Sequence, residues 1–176
     1  MNIAKIKEAI RDIPDFPKKG IVFKDITPVL GNRAVFKAVI DIFSKRLAEK
    51  KVEKIAAIDA RGFIFGGAVA DRLGIGIVPI RKKGKLPYKT FDESYDLEYG
   101  SATISVHQDA FKKGERVAVM DDLLATGGTA SAAVKLVEKC GGVVVDIVFL
   151  IELSFLGGRG KLRGYDVFAP IVFDKE

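Results

Sequence analysis

Two aspartates stand side by side at Asp121 and Asp122, followed by the run Ala125-Thr126-Gly127-Gly128-Thr129. Adjacent carboxylates repel a phosphate. They do accept hydrogen bonds from the hydroxyls of a sugar, or hold a divalent cation. The run after them offers the opposite chemistry. Its glycines let the backbone approach a ligand, its successive N–H groups at a helix start form an anion site, and Thr126 and Thr129 add hydroxyl donors. A glycine-softened turn with an aspartate cap would explain the glycines but not the acidic pair. A phosphorylated ribose, phosphate beside polyol, satisfies both halves. The run lacks the Gly-Lys-Ser/Thr ending of a P-loop and the Gly-x-Gly-x-x-Gly of a dinucleotide turn.

Two basic sites accompany this pair. Arg61, in Asp59-Ala60-Arg61-Gly62, is of the type suited to bidentate phosphate binding, or to a surface salt bridge. Arg81, Lys82, Lys83, Lys85 and Lys89 fall in one loop-like stretch, which reads either as a solvated surface or as a seat for a polyanionic ligand. The chain carries a net charge of +6, but no helix bears a basic stripe, so a small phosphorylated molecule fits better than a nucleic acid. His107 is the only histidine and receives no catalytic role.

These groups need a scaffold that brings them together. The chain of 176 residues suits a single domain, with no repeat, linker or low-complexity segment. Apolar positions at helical spacing predict helices over 2–11, 33–50, 63–73 and 129–139. Nearly all-apolar strands are expected at 55–58, 75–80, 116–120 and 143–151, an alternating strand at 102–106 and a last one near 167–172. Segments 12–20 and 81–100 read as loops, the second too long for a tight turn and expected to be functional or mobile. Strands alternating with helices imply an α/β fold with a mostly parallel central sheet flanked by helices, its ligands bound beyond the carboxyl ends of the strands. The lone Cys140 excludes an internal disulfide and favours a reducing, cytoplasmic setting. No apolar run reaches the roughly 18 residues of a membrane span, so no membrane partner is expected.

Residues 117–130 resemble the ribose-phosphate signature of the type I phosphoribosyltransferases. Segments 16–17, 20–28, 59–63, 81–87 and 95–100 resemble, in that order, the adenine-using branch of that family, over roughly residues 16–156. The resemblance implies the type I phosphoribosyltransferase fold as one domain over 1–176. A small hood from 1–30 and parts of the C-terminal tail would cover the base site, with a long flexible catalytic loop beside it. It implies that Asp121 and Asp122 hold the ribose 2′ and 3′ hydroxyls, and that Ala125, Thr126, Gly127, Gly128 and Thr129 cradle the 5′-phosphate. Asp59, Ala60 and Arg61 would form the diphosphate loop, with a cis peptide expected between Asp59 and Ala60. Arg81, Lys82 and Lys85 would be further diphosphate ligands, partly supplied across a homodimer interface. Phe23 would stack on the purine and Leu153 close its other face, while backbone groups of Val22 and Lys24 read the ring edge. Glu98 would exchange the proton of purine N7, with Tyr99 beside it.

The implied reaction is displacement at ribose C1′ of 5-phospho-α-D-ribose 1-diphosphate by adenine, giving AMP and diphosphate. Mg²⁺ would be held mainly by substrate oxygens and water, so no firm protein ligand is expected. A transferase for xanthine, hypoxanthine or guanine is the alternative within the fold, and a non-catalytic nucleotide-sensing regulator the alternative outside catalysis. The segments at 20–28 and 95–100 favour adenine, and the intact basic segments favour an enzyme.

Overall fold

The computed structural model describes residues 2–96 and 100–175. In chain order its elements are α1 (Ile3–Glu8), β1 (Arg11–Ile13), β2 (Phe23–Asp25), α2 (Thr27–Gly31), α3 (Arg33–Glu49), β3 (Lys54–Ile58), α4 (Arg61–Leu73) and β4 (Gly76–Lys82). Then follow β5 (Thr90–Asp96), β6 (Ser101–His107), β7 (Arg116–Met120), β8 (Leu123–Leu124), α5 (Gly128–Lys139), β9 (Val143–Val148), β10 (Ile151–Leu153), two 3₁₀ turns (Ser154–Leu156 and Gly158–Leu162), β11 (Val167–Phe168) and β12 (Ile171–Phe173).

The main sheet has the order β11-β9-β7-β3-β4-β6-β5. The first five strands are parallel, while β6 runs antiparallel to both β4 and β5. Alternate residues of the central strands enter opposite cores. Ile55, Ala57, Ala118 and Met120 pack with α3 and α4, whereas Ala56, Ile58, Val117 and Val119 pack with α5. Burial on both faces is why these strands read as unbroken apolar runs.

Several expected boundaries moved. The stretch 81–100 is not one open loop, because Thr90–Asp96 pairs along its length with Ser101–His107. Charged residues hide the strand pattern, since Phe91, Glu93 and Tyr95 face α5 on alternate positions. Lys139 Nζ stands 5.1 Å from the Phe91 ring centroid, and Lys135 Nζ lies 2.9 Å from Glu93 Oε1. The run 143–151 breaks into β9 and β10, which belong to different sheets, and 167–172 likewise divides into β11 and β12. In the segment expected as loop after α1, residues Arg11–Ile13 pair with Phe23–Asp25. Thr27-Pro28 starts α2, since proline is tolerated in a helix's first turn.

The small sheet β12-β10-β8 lies beside the N-terminal hairpin. Lys7 donates to Val172 O at 2.7 Å, and the amines of Lys7 and Lys24 each lie 4.5 Å from the Phe173 ring centroid. Among the described residues no helix is long and apolar enough to cross a membrane.

One ion pair joins α3 to the sheet. A bulge in β9, where Val117 pairs with Val144 but Ala118 with Asp146, delivers Asp146 toward α3. There its fully buried carboxylate accepts from Arg46 Nε at 2.7 Å and Nη2 at 3.0 Å. Removing one partner of a buried pair leaves the other without its counter-charge. Asp146→Ala is therefore expected to cost about 3 kcal/mol, a drop of roughly 6–12 °C in melting temperature for a chain of this size. Thermal unfolding followed by circular dichroism checks it, and a drop below 2 °C would show that Arg46 finds water in place of Asp146.

Candidate active site

Three adjacent parallel strands, β7, β3 and β4, end at one edge of the sheet and pass directly into the segments singled out above. Asp121 and Asp122 follow Met120, Asp59 and Ala60 follow Ile58, and Arg81 and Lys82 close β4. The peptide between Asp59 and Ala60 is cis, as the resemblance implies. Helices α4 and α5 start at this edge without side-chain caps, so their first N–H groups remain available to an anion.

The acidic pair is held in two different ways. Asp122 is buried; Leu150 and Ile151 donate to its carbonyl, and its own N–H donates to Asp121 Oδ1 at 2.8 Å. Its carboxylate Oδ2 lies 2.9 Å from Arg61 Nε, close enough for attraction although the N–H is not aligned for a hydrogen bond. Asp121 has less compensation. Burial first, and then the negative charge of Asp122, hold its carboxyl well above the ordinary aspartate range, with Arg61 pulling the other way.

The 125–129 run and Asp121 line a pocket of about 80 Å³, with Phe149 at its wall. Gly127 adopts φ +77°, a conformation that a side chain would strain. A Cβ there would also collide with the carbonyl oxygen of Gly158, and a Cβ on Gly158 would collide with that of Ala125. Two backbone segments are thus packed directly on each other. On the other side, the Tyr95 ring comes within 3.0 Å of where a Gly128 Cβ would stand. Gly158 and Tyr95 were not singled out in the sequence. The Gly157-Gly158 pair reads as a turn, and Gly157 does adopt φ +66°, so the sequence marks a turn there and not the contact.

The remaining residues assemble around this core to different degrees. Arg81 is engaged by its own chain, donating from Nε to Asp59 Oδ2 at 2.8 Å and from Nη1 to the Lys85 carbonyl at 3.2 Å. Lys82 at the end of β4 and Lys85 on the turn that follows are exposed, and Lys83 pairs with Asp92 at 3.1 Å. Phe23 reaches the site through Arg61, whose guanidinium lies 5.5 Å from its ring centroid, and the Phe16 ring packs edge-on at 5.2 Å. Val22 precedes β2 and is half-buried. Lys24 is buried, with Nζ 2.9 Å from Asp12 Oδ1. The end of that strand is fixed by Asp25, which accepts from the Thr27 N–H and hydroxyl and from Arg11, lowering its pKa to about 2. Leu153 ends β10, in register with Phe173. Glu98 and Tyr99 lie outside the described residues.

Comparison with known proteins matches residues 26–169 to the phosphoribosyl transferase domain family. A protein of Thermoanaerobacter sp. (strain X514) named adenine phosphoribosyltransferase is 55% identical over 98% of this chain and 100% of its own length. The crystal structure of adenine phosphoribosyltransferase from Thermoanaerobacter pseudethanolicus superimposes with a TM-score of 0.95 at 54% identity, covering 98% of this chain and 100% of that one. The enzyme from Saccharomyces cerevisiae, solved with an imino-altritol bisphosphate and adenine, gives a TM-score of 0.92 at 40% identity over 96% and 97%.

The raised Asp121 carboxyl has a thermodynamic consequence. A carboxyl whose folded pKa is raised destabilises the fold when ionised: the penalty is absent below the ordinary value of about 4 and grows as pH rises toward the folded value. An asparagine there keeps an oxygen for the Asp122 N–H but carries no charge. Ligand-free Asp121→Asn should therefore melt above wild type at pH 8, with the gap closing near pH 4. Calorimetry across that range checks the sign, and a gap that does not change with pH would mean the charge is not its source.

Proposed function

The chain belongs to the adenine phosphoribosyltransferases of the phosphoribosyl transferase family, and we propose that the residues gathered at the carboxyl edge of β7, β3 and β4 divide that reaction among them. The reaction transfers the phosphorylated ribose of 5-phospho-α-D-ribose 1-diphosphate to adenine, giving AMP and diphosphate, a step of purine salvage. The observation that carries the assignment is the pocket itself: Asp121, a carboxylate suited to sugar hydroxyls, and an uncapped, glycine-lined helix start suited to phosphate line the same pocket.

Asp121 and Asp122 accept the ribose hydroxyls, and Ala125 to Thr129 take the 5′-phosphate. The diphosphate lies toward Asp59, Ala60 and Arg61, with Lys82 at the end of β4 and Lys85 on the neighbouring turn supplying charge. Arg81 shapes that region by joining Asp59 to Lys85 and offers its remaining N–H groups. Phe23 and Leu153 take the two faces of the purine, backbone groups of Val22 and Lys24 its edge, and Glu98 with Tyr99 the N7 proton. The hairpin β1–β2 and strand β12 form the hood over the base.

As the C1′–oxygen bond breaks, positive charge develops on the ribose and negative charge on the diphosphate. Positioning and charge neutralisation by Arg61 and the lysines then lower the barrier without a protein nucleophile. Among the described residues no group of three or more His, Cys, Asp or Glu side chains could hold a metal ion. Mg²⁺ would be bound mainly through substrate oxygens and water, with the Asp121–Asp122 pair as the carboxylates available to it. When bound, Mg²⁺ supplies further neutralisation of the leaving diphosphate.

A homodimer is favoured by an exposed apolar face. Although β4 is an inner strand, Ile77 is 40% exposed and Pro79 is also open to solvent, with Ile64 of α4 at 43%. Arg81 continues the same stripe, so a second copy seated there would cover the edge of the site. Ile77→Asp should convert a particle of twice the chain mass to a monomer in light scattering, and wild type that is already monomeric would remove the dimer. The lone Cys140 is consistent with a cytoplasmic enzyme.

Catalysis is tested by supplying 5-phospho-α-D-ribose 1-diphosphate and Mg²⁺ with one base at a time. Adenine should give AMP and diphosphate, hypoxanthine and guanine little or none, and Asp122→Asn should lower kcat/KM by roughly a hundredfold. Nucleotide from hypoxanthine or guanine but not adenine would overturn the base assignment.

A further inference from the structure

A closed circuit of contacts runs around the 125–129 loop. Leu124, the residue before Ala125, pairs in register with Glu152 of the neighbouring strand. Glu152 is buried, and its carboxylate takes Arg159 Nε at 2.8 Å from each oxygen and Nη2 at 2.7 Å. Arg159 also donates from Nη1 to Val167 O at 3.0 Å, which holds its guanidinium flat between β10 and β11. The residue before it, Gly158, lies against the loop from behind, where no side chain fits on either Gly127 or Gly158. Chain, ladder, ion pair and backbone contact thus return to the loop they started from.

Each part of this circuit has an unusual demand. A buried carboxylate is stable only with its charge and lone pairs satisfied, and one arginine fork satisfies both here. The fork also fixes where residue 158 sits, since its backbone is a single bond sequence away. The loop cannot relax backward while Gly158 is in place, so its conformation is held from that side. Preorganised donors of this kind bind an anion without first having to order themselves.

We propose that Arg159 and Glu152 are positioning residues for the 5′-phosphate, acting through the backbone of Gly158 on residues 125–129. The inference rests on the assignment of that loop to the phosphate. It predicts a loss confined to ligands that carry the phosphate, which a mere attachment of the C-terminal segment would not produce.

The test compares AMP with adenosine, which differ only in that group, by calorimetric titration of the full chain. In Arg159→Lys, which keeps the charge but not the fork, the preference for AMP over adenosine should fall roughly tenfold or more, with adenosine affinity unchanged. Gly158→Ala, which leaves the ion pair alone and displaces the loop directly, should do the same and covers the case in which the lysine variant fails to fold. Thr129→Val tests the underlying assignment separately. If it lowers the preference while Arg159→Lys does not, the positioning role is wrong and the phosphate loop stands. If Thr129→Val leaves the preference intact, the phosphate is not bound there and the inference falls with it. A fall in melting temperature without a change in preference would make the pair a fastening of the C-terminal segment only.

Discussion

Two carboxylates at consecutive positions repel each other, and keeping Asp121 and Asp122 together at the end of a buried strand requires a cation beside them. Arg61 supplies it at 2.9 Å from Asp122. It can do so only because β3 lies next to β7 and α4 begins where β3 ends. The same adjacency repeats one strand further, where Arg81 of β4 reaches Asp59 at the end of β3. The sheet order β7-β3-β4 is thus visible in the site as a ladder of opposite charges. Each rung is partly exposed, so each can exchange its partner for a ligand of like charge.

That arrangement explains how a polyanionic substrate is bound by a pocket that contains carboxylates. The acidic groups stand at the strand end, where sugar hydroxyls donate, and the helix starts flank them on either side. In the proposed assignment, negative ligand charge meets the uncapped N–H groups and the arginines, and the hydroxyls meet the aspartates. Burial and the neighbouring Asp122 hold the Asp121 carboxyl above the ordinary aspartate range, and donors from a ribose would favour its ionised form.

The chemistry was more legible in the sequence than the architecture around it. Acid pair, threonine–glycine run and Asp-Ala-Arg-Gly segment are local features, and each lies where short-range composition places it. What the sequence concealed were relations between distant segments. The strand Thr90–Asp96 was masked because Glu93 and Lys135 of α5 satisfy each other across the helix–sheet contact, which leaves a charged residue on an inward face. The run 143–151 reads as one strand because nothing in its apolar residues marks the point where the chain leaves one sheet for another. Gly158 carries no signal of its partner, since a contact between two backbones has no side-chain type to announce it.

The two-sided burial of the central strands carries one more implication. In a sheet with one wet face, a slip of one residue would bury polar groups, and that penalty enforces the pairing. Here Ile55 to Ile58 and Val117 to Met120 are apolar on both sides, so a slipped β3 or β7 would still present oil to oil. What distinguishes the correct alignment lies at the strand ends, where a shift would part Arg61 from Asp122 and Arg81 from Asp59. The residues assigned to catalysis would therefore also serve as alignment marks for the sheet. Variants that neutralise them would be expected to trade some certainty of strand pairing along with activity.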